Sequence, residues 1–140
     1  MAEPAPSTPP SLAIKVFLVE DSRDVRELIK ENFIDIPGIS WAGFSDSEAD
    51  ALAQLQDQPC DVLIVDIELR QGNGMSLLRK LAEKHCHTGD LKIVFSNNIC
   101  DAYRRVGAQY GVLHFLDKSF GLPELCSLLQ RHRLAKGLGA

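Results

Sequence analysis

No stretch of about 18 consecutive apolar residues occurs in the chain, so no segment reads as a membrane-spanning helix and no membrane insertion is expected. Its start has neither the basic residues nor the apolar core of a secretion signal, and a cytoplasmic location is expected. The four cysteines, Cys60, Cys86, Cys100 and Cys126, form no C-x-x-C pair, which argues against a disulfide framework and against a zinc site. His85-Cys86-His87 has the chemistry of metal ligands, but positions i and i+2 of a helix do not face one way, and the trio reads as solvated surface at a helix end. Excess positive charge is also missing. A net charge of −4 gives no general attraction to nucleic acid or to anionic membrane, so no direct nucleic-acid contact is expected. There is no internal repeat. No glycine-rich phosphate loop follows the first apolar run, where Glu20-Asp21-Ser22-Arg23 stands instead; this counts against a flavin-type or hydrolytic enzyme of open α/β topology.

What is present suits one domain with a proper core, at 140 residues. Residues 1–12 hold Pro4, Pro6, Pro9 and Pro10 among Ser, Thr and Ala, the composition of a flexible or polyproline-like leader. From there strand and helix patterns alternate five times, which predicts a parallel sheet with helices on both faces. The short runs Ile14–Val19, Asp61–Val65, Leu91–Phe95 and Val112–Asp117 read as buried strands, and Ile39–Phe44 as a weaker one. Ser22 is placed to cap a first helix with Val25, Leu28, Ile29 and Phe33 inward. Ser45 or Asp46 would cap a second, with Ala49, Leu52, Ala53 and Leu55 toward the core. The third runs from Gly74 to about His85 on Leu77, Leu78 and Leu81. Ile99, Ala102, Tyr103 and Val106 give the fourth its inner stripe, and the fifth spans Leu122–Leu134. The domain is expected at 13–135 with a short tail at 136–140, leaving no room for an output domain.

Polar residues stand where four of the apolar runs stop: Glu20-Asp21, Asp66, Ser96 and Lys118. Singly, each has an ordinary explanation as a loop starter, a helix cap or a solvated lysine. Jointly they do not, because parallel neighbouring strands bring their carboxyl ends to one edge, where open α/β sheets build their sites. Three carboxylates in one crevice repel one another unless a cation offsets them, and a hard divalent ion such as Mg2+ takes oxygen ligands of this kind. With Glu20 and Asp21 on the metal, Asp66 is free to attack phosphorus, while Lys118 and the Ser96 hydroxyl face the charge that develops on the phosphoryl oxygens.

These residues resemble those of the receiver domains of bacterial two-component response regulators, and the likeness covers roughly Ile14 to Leu134. In that family an acidic pair follows the first strand, a phosphorylated Asp the third, a Ser or Thr the fourth and a Lys the fifth. Here 30 residues separate Asp66 from Ser96 and 22 separate Ser96 from Lys118, Gly74 stands eight positions after Asp66, and the aromatic Phe115 stands three before Lys118. The resemblance implies a flavodoxin-like α/β fold: a doubly wound, five-stranded parallel sheet of order 2-1-3-4-5 with five helices. It implies Mg2+ held by Glu20, Asp21, Asp66 and the backbone carbonyl of Glu68, with Asp21 a more direct ligand than Glu20. Asp66 would be the phosphorylation site, with Ser96 and Lys118 completing the reacting set, Ser96 and Phe115 acting as the switch, and Glu68, Asn97 and Asn98 tuning the lifetime of the phosphoryl group. The phosphodonor would be a histidine kinase or histidine phosphotransferase, approaching near Ser22, Arg23, Arg26 and Lys30. A downstream protein target would meet Arg104, Arg105, Gln109, His114 and Arg131, and a phosphorylation-dependent homodimer is compatible with the same surface. The expectation is a standalone phosphoacceptor in a relay rather than an enzyme, catalysing only its own phosphorylation and dephosphorylation. A pseudo-receiver, keeping the fold as a constitutive binding module, would be favoured by a missing site residue; none is missing.

The sequence departs from the family pattern at three places. Ser119 follows the lysine where most receivers have a cis proline, which predicts either a strained cis Lys118-Ser119 bond or a trans one that shifts Lys118. Arg70 replaces a common proline, predicting a looser loop after Asp66. Asn97 is larger than the usual Ala or Gly, and either shields the phosphoryl group from water or caps the fourth helix.

Overall fold

The computed structural model describes residues 13–139, the side chains of 137–139 excepted. The leader expected at 1–12 lies outside the described residues. Five strands alternate with five helices: β1 (Ile14–Val19), α1 (Arg23–Phe33), β2 (Ile39–Ser45), α2 (Glu48–Asp57), β3 (Val62–Val65), α3 (Gly74–Glu83), β4 (Leu91–Ser96), α4 (Asp101–Gln109), β5 (Val112–Asp117) and α5 (Leu122–Gly139). All strand pairs are parallel and the sheet order is β2-β1-β3-β4-β5, the flavodoxin-like arrangement.

Strand alternation divides the core into two layers. Phe17, Val19, Leu63, Val65 and Val94 face Ala51 and Leu55 of α2 and Leu77, Leu78 and Leu81 of α3. Their neighbours Val16, Leu18, Val62, Ile64, Ile93 and Phe95 face Ile29 and Phe33 of α1 and Leu125, Leu128 and Leu129 of α5. Each such side chain removed from water contributes about 1.5–3 kcal/mol, so β3, buried at all four positions, anchors both layers.

Several helix details differ from expectation. The α2 cap is Ser47, whose hydroxyl accepts from Asp50 N–H, whereas Ser45 closes β2. Ala49 and Ala53 are exposed; Ala51, Leu52 and Leu55 form the inner face instead. In α4 Ala102 is exposed and Val106 is 38% exposed, and Gly107 is the buried residue. This helix meets the core through Tyr103 and Gly107, so its apolar stripe overstated its burial. α5 continues past Leu134, and a division at 135 falls inside the helix, where Lys136 pairs with Asp61 at the start of β3. No described helix is long and apolar enough to cross a membrane.

Candidate functional site

The ladder itself aims the site. Beyond the strand ends, Glu20 N–H donates to Ser45 O at 2.9 Å, Asp66 N–H to Val19 O at 2.9 Å and Lys118 N–H to Ser96 O at 3.2 Å. Each polar residue therefore occupies the first position after its strand, or the last within it for Ser96, on the same carboxyl edge. The expected convergence is real: Asp21, Asp66, Glu68, Ser96, Asn97, Asn98 and Lys118 line one crevice of about 200 Å³.

Lys118 Nζ sits 2.6 Å from Asp66 Oδ2 and 2.7 Å from Glu20 Oε1, bridging the two acidic strand ends. Glu20 and Asp66 are buried, Asp21 exposed, and Ser96, though part of the crevice lining, is fully buried. Glu20 also accepts from Ser22 N–H at 3.0 Å, while Ser22 caps α1. Burial pushes the Glu20 carboxyl up to about 7, only partly offset by its hydrogen bonds to Lys118 and Ser22 and reinforced by the nearby Asp66. Burial works against the charged Lys118, but the bonds to Asp66 and Glu20 outweigh it and hold the ammonium above its ordinary value. Glu20, Asp21 and Asp66 offer oxygens within 4.8 Å of one another. The Lys118 ammonium does not by itself neutralise the three acidic side chains, and the cluster, all oxygen and open on the Asp21 side, fits a hard divalent cation.

The loop from Asp66 to α3 is braced rather than loose. Arg70 holds Asp46 with both arms of its guanidinium, Nε at 3.1 Å and Nη2 at 2.9 Å. Glu48, which sequence reasoning overlooked, is a buried carboxylate at the first turn of α2. It accepts from Asn73 N–H at 2.9 Å, Ser76 Oγ at 2.7 Å and Lys80 Nζ at 2.6 Å. Asn73 in turn caps α3 through Met75 and Ser76 N–H. Gly74 is required by close approach, since a β-carbon there would stand 2.1 Å from Asp66 O.

Lys118-Ser119 is trans: among the described residues no peptide bond is cis. Lys118 reaches both Asp66 and Glu20 across this trans bond. The Asp117 carboxylate accepts from Ser119 N–H at 2.7 Å and Asp117 O from Gly121 N–H at 2.7 Å, so a turn closed by side-chain capping replaces the proline bend. Asn97 does not cap α4, whose N-cap position is Cys100 without a side-chain bond. Asn97 and Asn98 are exposed at the crevice, and Asn98 N–H donates to Ser96 Oγ at 3.4 Å. Phe115 is not in the crevice; its half-buried ring lies against Gly107 of α4, with the Arg104 guanidinium 5.6 Å from the ring centre.

The model of the response regulator receiver domain matches residues 16–130. The chain belongs to this family. Similar curated proteins include the response regulator GacA of Pseudomonas syringae pv. syringae, 28% identical over 119 residues, covering 84% of this receiver and 54% of GacA. Another is the transcriptional regulatory protein DcuR of Escherichia coli K12, 29% identical over 109 residues, covering 76% of this receiver and 45% of DcuR. The receiver thus spans about half the length of these relatives. Among solved structures, the response regulator domain of Thermotoga maritima CheB superposes with a TM-score of 0.73 at 23% identity, covering 89% of this receiver and 97% of that chain. The likeness at that identity is one of fold. Membership places this receiver in two-component signal transduction.

Proposed function

We propose that this receiver takes a phosphoryl group from a phosphohistidine of a histidine kinase or histidine phosphotransferase onto Asp66, in a Mg2+-dependent reaction, and passes the signal on by protein contact or relay. The carrying observation is Lys118 Nζ, held between Asp66 Oδ2 and Glu20 Oε1 at 2.6 and 2.7 Å. An Asp66 carboxylate oxygen attacks phosphorus; the O–P bond forms as the P–N bond breaks, and the electron pair returns to the donor imidazole. Negative charge then spreads over the phosphoryl oxygens, where the Lys118 ammonium and the Ser96 hydroxyl act as donors. Glu20, Asp21, Asp66 and the Glu68 carbonyl would hold Mg2+, which when bound neutralises charge on the phosphoryl oxygens. Asp21, exposed, would be the more direct ligand; Glu20, already engaged by Lys118 and Ser22, would be the less direct one. Asn97 and Asn98, exposed at the crevice, limit the approach of water and, with Glu68 of the same lining, set the lifetime.

The output runs through Ser96 and Phe115 to the outer surface of α4, β5 and α5. Exposed Leu113 and Val106 lie there with Arg104, and a downstream protein or, on phosphorylation, a second copy would dock on them. The setting is cytoplasmic, without direct nucleic-acid contact. The test is transfer from a phosphohistidine-bearing kinase with Mg2+ or EDTA: label that moves to the receiver only with Mg2+, in a linkage cleaved by hydroxylamine, supports an aspartyl phosphate. Acid-stable, hydroxylamine-resistant label refutes it.

A further inference from the structure

A second ligand-like cluster lies on the opposite edge of the sheet from Asp66. Cys60 stands just before β3, Asp90 just before β4, and His87 in the loop between α3 and β4. The two strands start in register, Val62 beside Leu91, so the residues preceding them become neighbours. Cys60 Sγ is 3.3 Å from Asp90 Oδ2 and 3.7 Å from His87 Nδ1, and His87 Nδ1 is 2.5 Å from Asp90 Oδ2. The side chains of His87 and Asp90 are only 6% and 10% exposed and Cys60 is 8% exposed, so this is a built site, not the solvated surface expected of the His85-Cys86-His87 run.

The imidazole orientation is informative. Nε2 lies 2.6 Å from the Leu55 carbonyl, an acceptor only, so Nε2 carries the proton and donates. The Nδ1 atom is then turned toward a sulfur and a carboxylate oxygen. A backbone carbonyl on one ring nitrogen, with the other aimed at further ligands, is how metal-binding histidines are oriented. Zn2+ bonds of about 2.0–2.3 Å in tetrahedral geometry set ligand atoms about 3.3–3.8 Å apart. The two sulfur separations already meet that range, and only the Nδ1–Oδ2 separation must open. His87 has a φ of 58°, a left-handed conformation uncommon for a non-glycine residue. Cys86 lines the same cleft of about 370 Å³. The buried Lys92 ammonium donates to the His87 carbonyl, fixing the loop, and its charge also acts on Cys60 and Asp90.

We propose that Cys60, His87 and Asp90 form a Zn2+ site that staples the start of β3 to the α3–β4 loop, separate from the Asp66 crevice. On binding, the Cys60 thiol proton and the proton held between His87 and Asp90 leave to solvent. The thiolate and carboxylate then balance the dication, and the mixed S, N, O donor set favours Zn2+ over Mg2+.

The test uses the full chain, stripped with chelator and titrated with Co2+ as a spectroscopic probe. Expected is a thiolate-to-cobalt charge-transfer band with the visible bands of a tetrahedral ion, saturating at one equivalent and abolished by Zn2+. The band should be lost in Cys60→Ser and in His87→Gln, and kept in Asp21→Asn and Cys100→Ser. Zn2+ should also raise the thermal midpoint of the parent and not that of His87→Gln. Absence of the charge-transfer band in the parent, or its survival in Cys60→Ser, overturns the proposal. Oxygen-only binding at the Mg2+ crevice gives no such band, so the two sites are read separately.

Discussion

A β-carbon on Gly74 would stand 2.1 Å from the backbone carbonyl oxygen of Asp66, closer than two such atoms ever approach, and 2.6 Å from Val65 Cγ1. The obstacle is backbone, so relief requires moving the residue that carries the reacting carboxylate. Gly74→Ala should lose about 1–3 kcal/mol in urea unfolding, the usual cost of overpacking. Mg2+-dependent phosphorylation should slow in the fraction that remains folded. Unchanged stability and rate would show that the contact relaxes without displacing Asp66.

Lys118 sets a trade-off between reaction and metal affinity. Removing its charge takes a donor from the phosphoryl oxygens and also removes a cation that repels Mg2+. Lys118→Ala should therefore phosphorylate at least about tenfold more slowly, a loss of roughly 1.4 kcal/mol of transition-state stabilisation. It should also bind Mg2+ about fivefold more tightly by calorimetry, on the order of 1 kcal/mol of Coulomb energy. Weaker Mg2+ binding would contradict the reading of the crevice as under-neutralised.

Glu48 gives a pH signature. Burial alone would raise its carboxyl, but the bonds from Lys80, Ser76 and Asn73 outweigh that and hold it below its ordinary value. A depressed folded-state pKa contributes stability above the unfolded value of about 4.3, and that stability is lost as pH falls through the folded pKa. Glu48→Gln should thus cost about 1–3 kcal/mol at pH 7 and progressively less as pH falls below the unfolded value of about 4.3, converging with the parent once the folded-state carboxyl is protonated. Urea midpoints measured across pH check this; a gap independent of pH would mean that charge is not what Glu48 contributes.

Gly107 and Phe115 form the contact through which β5 meets α4. A β-carbon at 107 would stand 2.4 Å from Phe115 Cζ, the mobile end of a side chain. Gly107→Ala should displace the ring rather than unfold the domain, with a stability change under about 1 kcal/mol. The Phe115 ring resonances should shift in the unphosphorylated protein. Unmoved resonances would show that α4 yields instead.

The fold was legible because its strands are short, continuous apolar runs, with a polar residue at each of four carboxyl ends, and parallel order carries those residues to one edge. The α2 cap was not, since Ser45, Asp46 and Ser47 are all capable caps and only the length of β2 decides among them. Of the two alternatives after Lys118 the structure takes the trans one, and the capping by Asp117 that closes the turn was not read from the sequence. Arg70 looked like a lost rigid residue, yet its partner Asp46 lies 24 positions away and is found only through the fold. Cys60, His87 and Asp90 were missed for the same reason: local spacing says nothing of them. Asking which residues precede adjacent strands of matched register would have brought Cys60 and Asp61 to the same strand edge as Asp90.

The central claim is that Asp66 is the phosphoacceptor in a Mg2+-dependent crevice. Intact mass after incubation with a small phosphodonor and Mg2+ tests it most directly. The parent should gain the mass of one phosphoryl group, and should gain none in EDTA or in Asp66→Asn. No added mass in the parent, or equal addition in Asp66→Asn, would contradict the account.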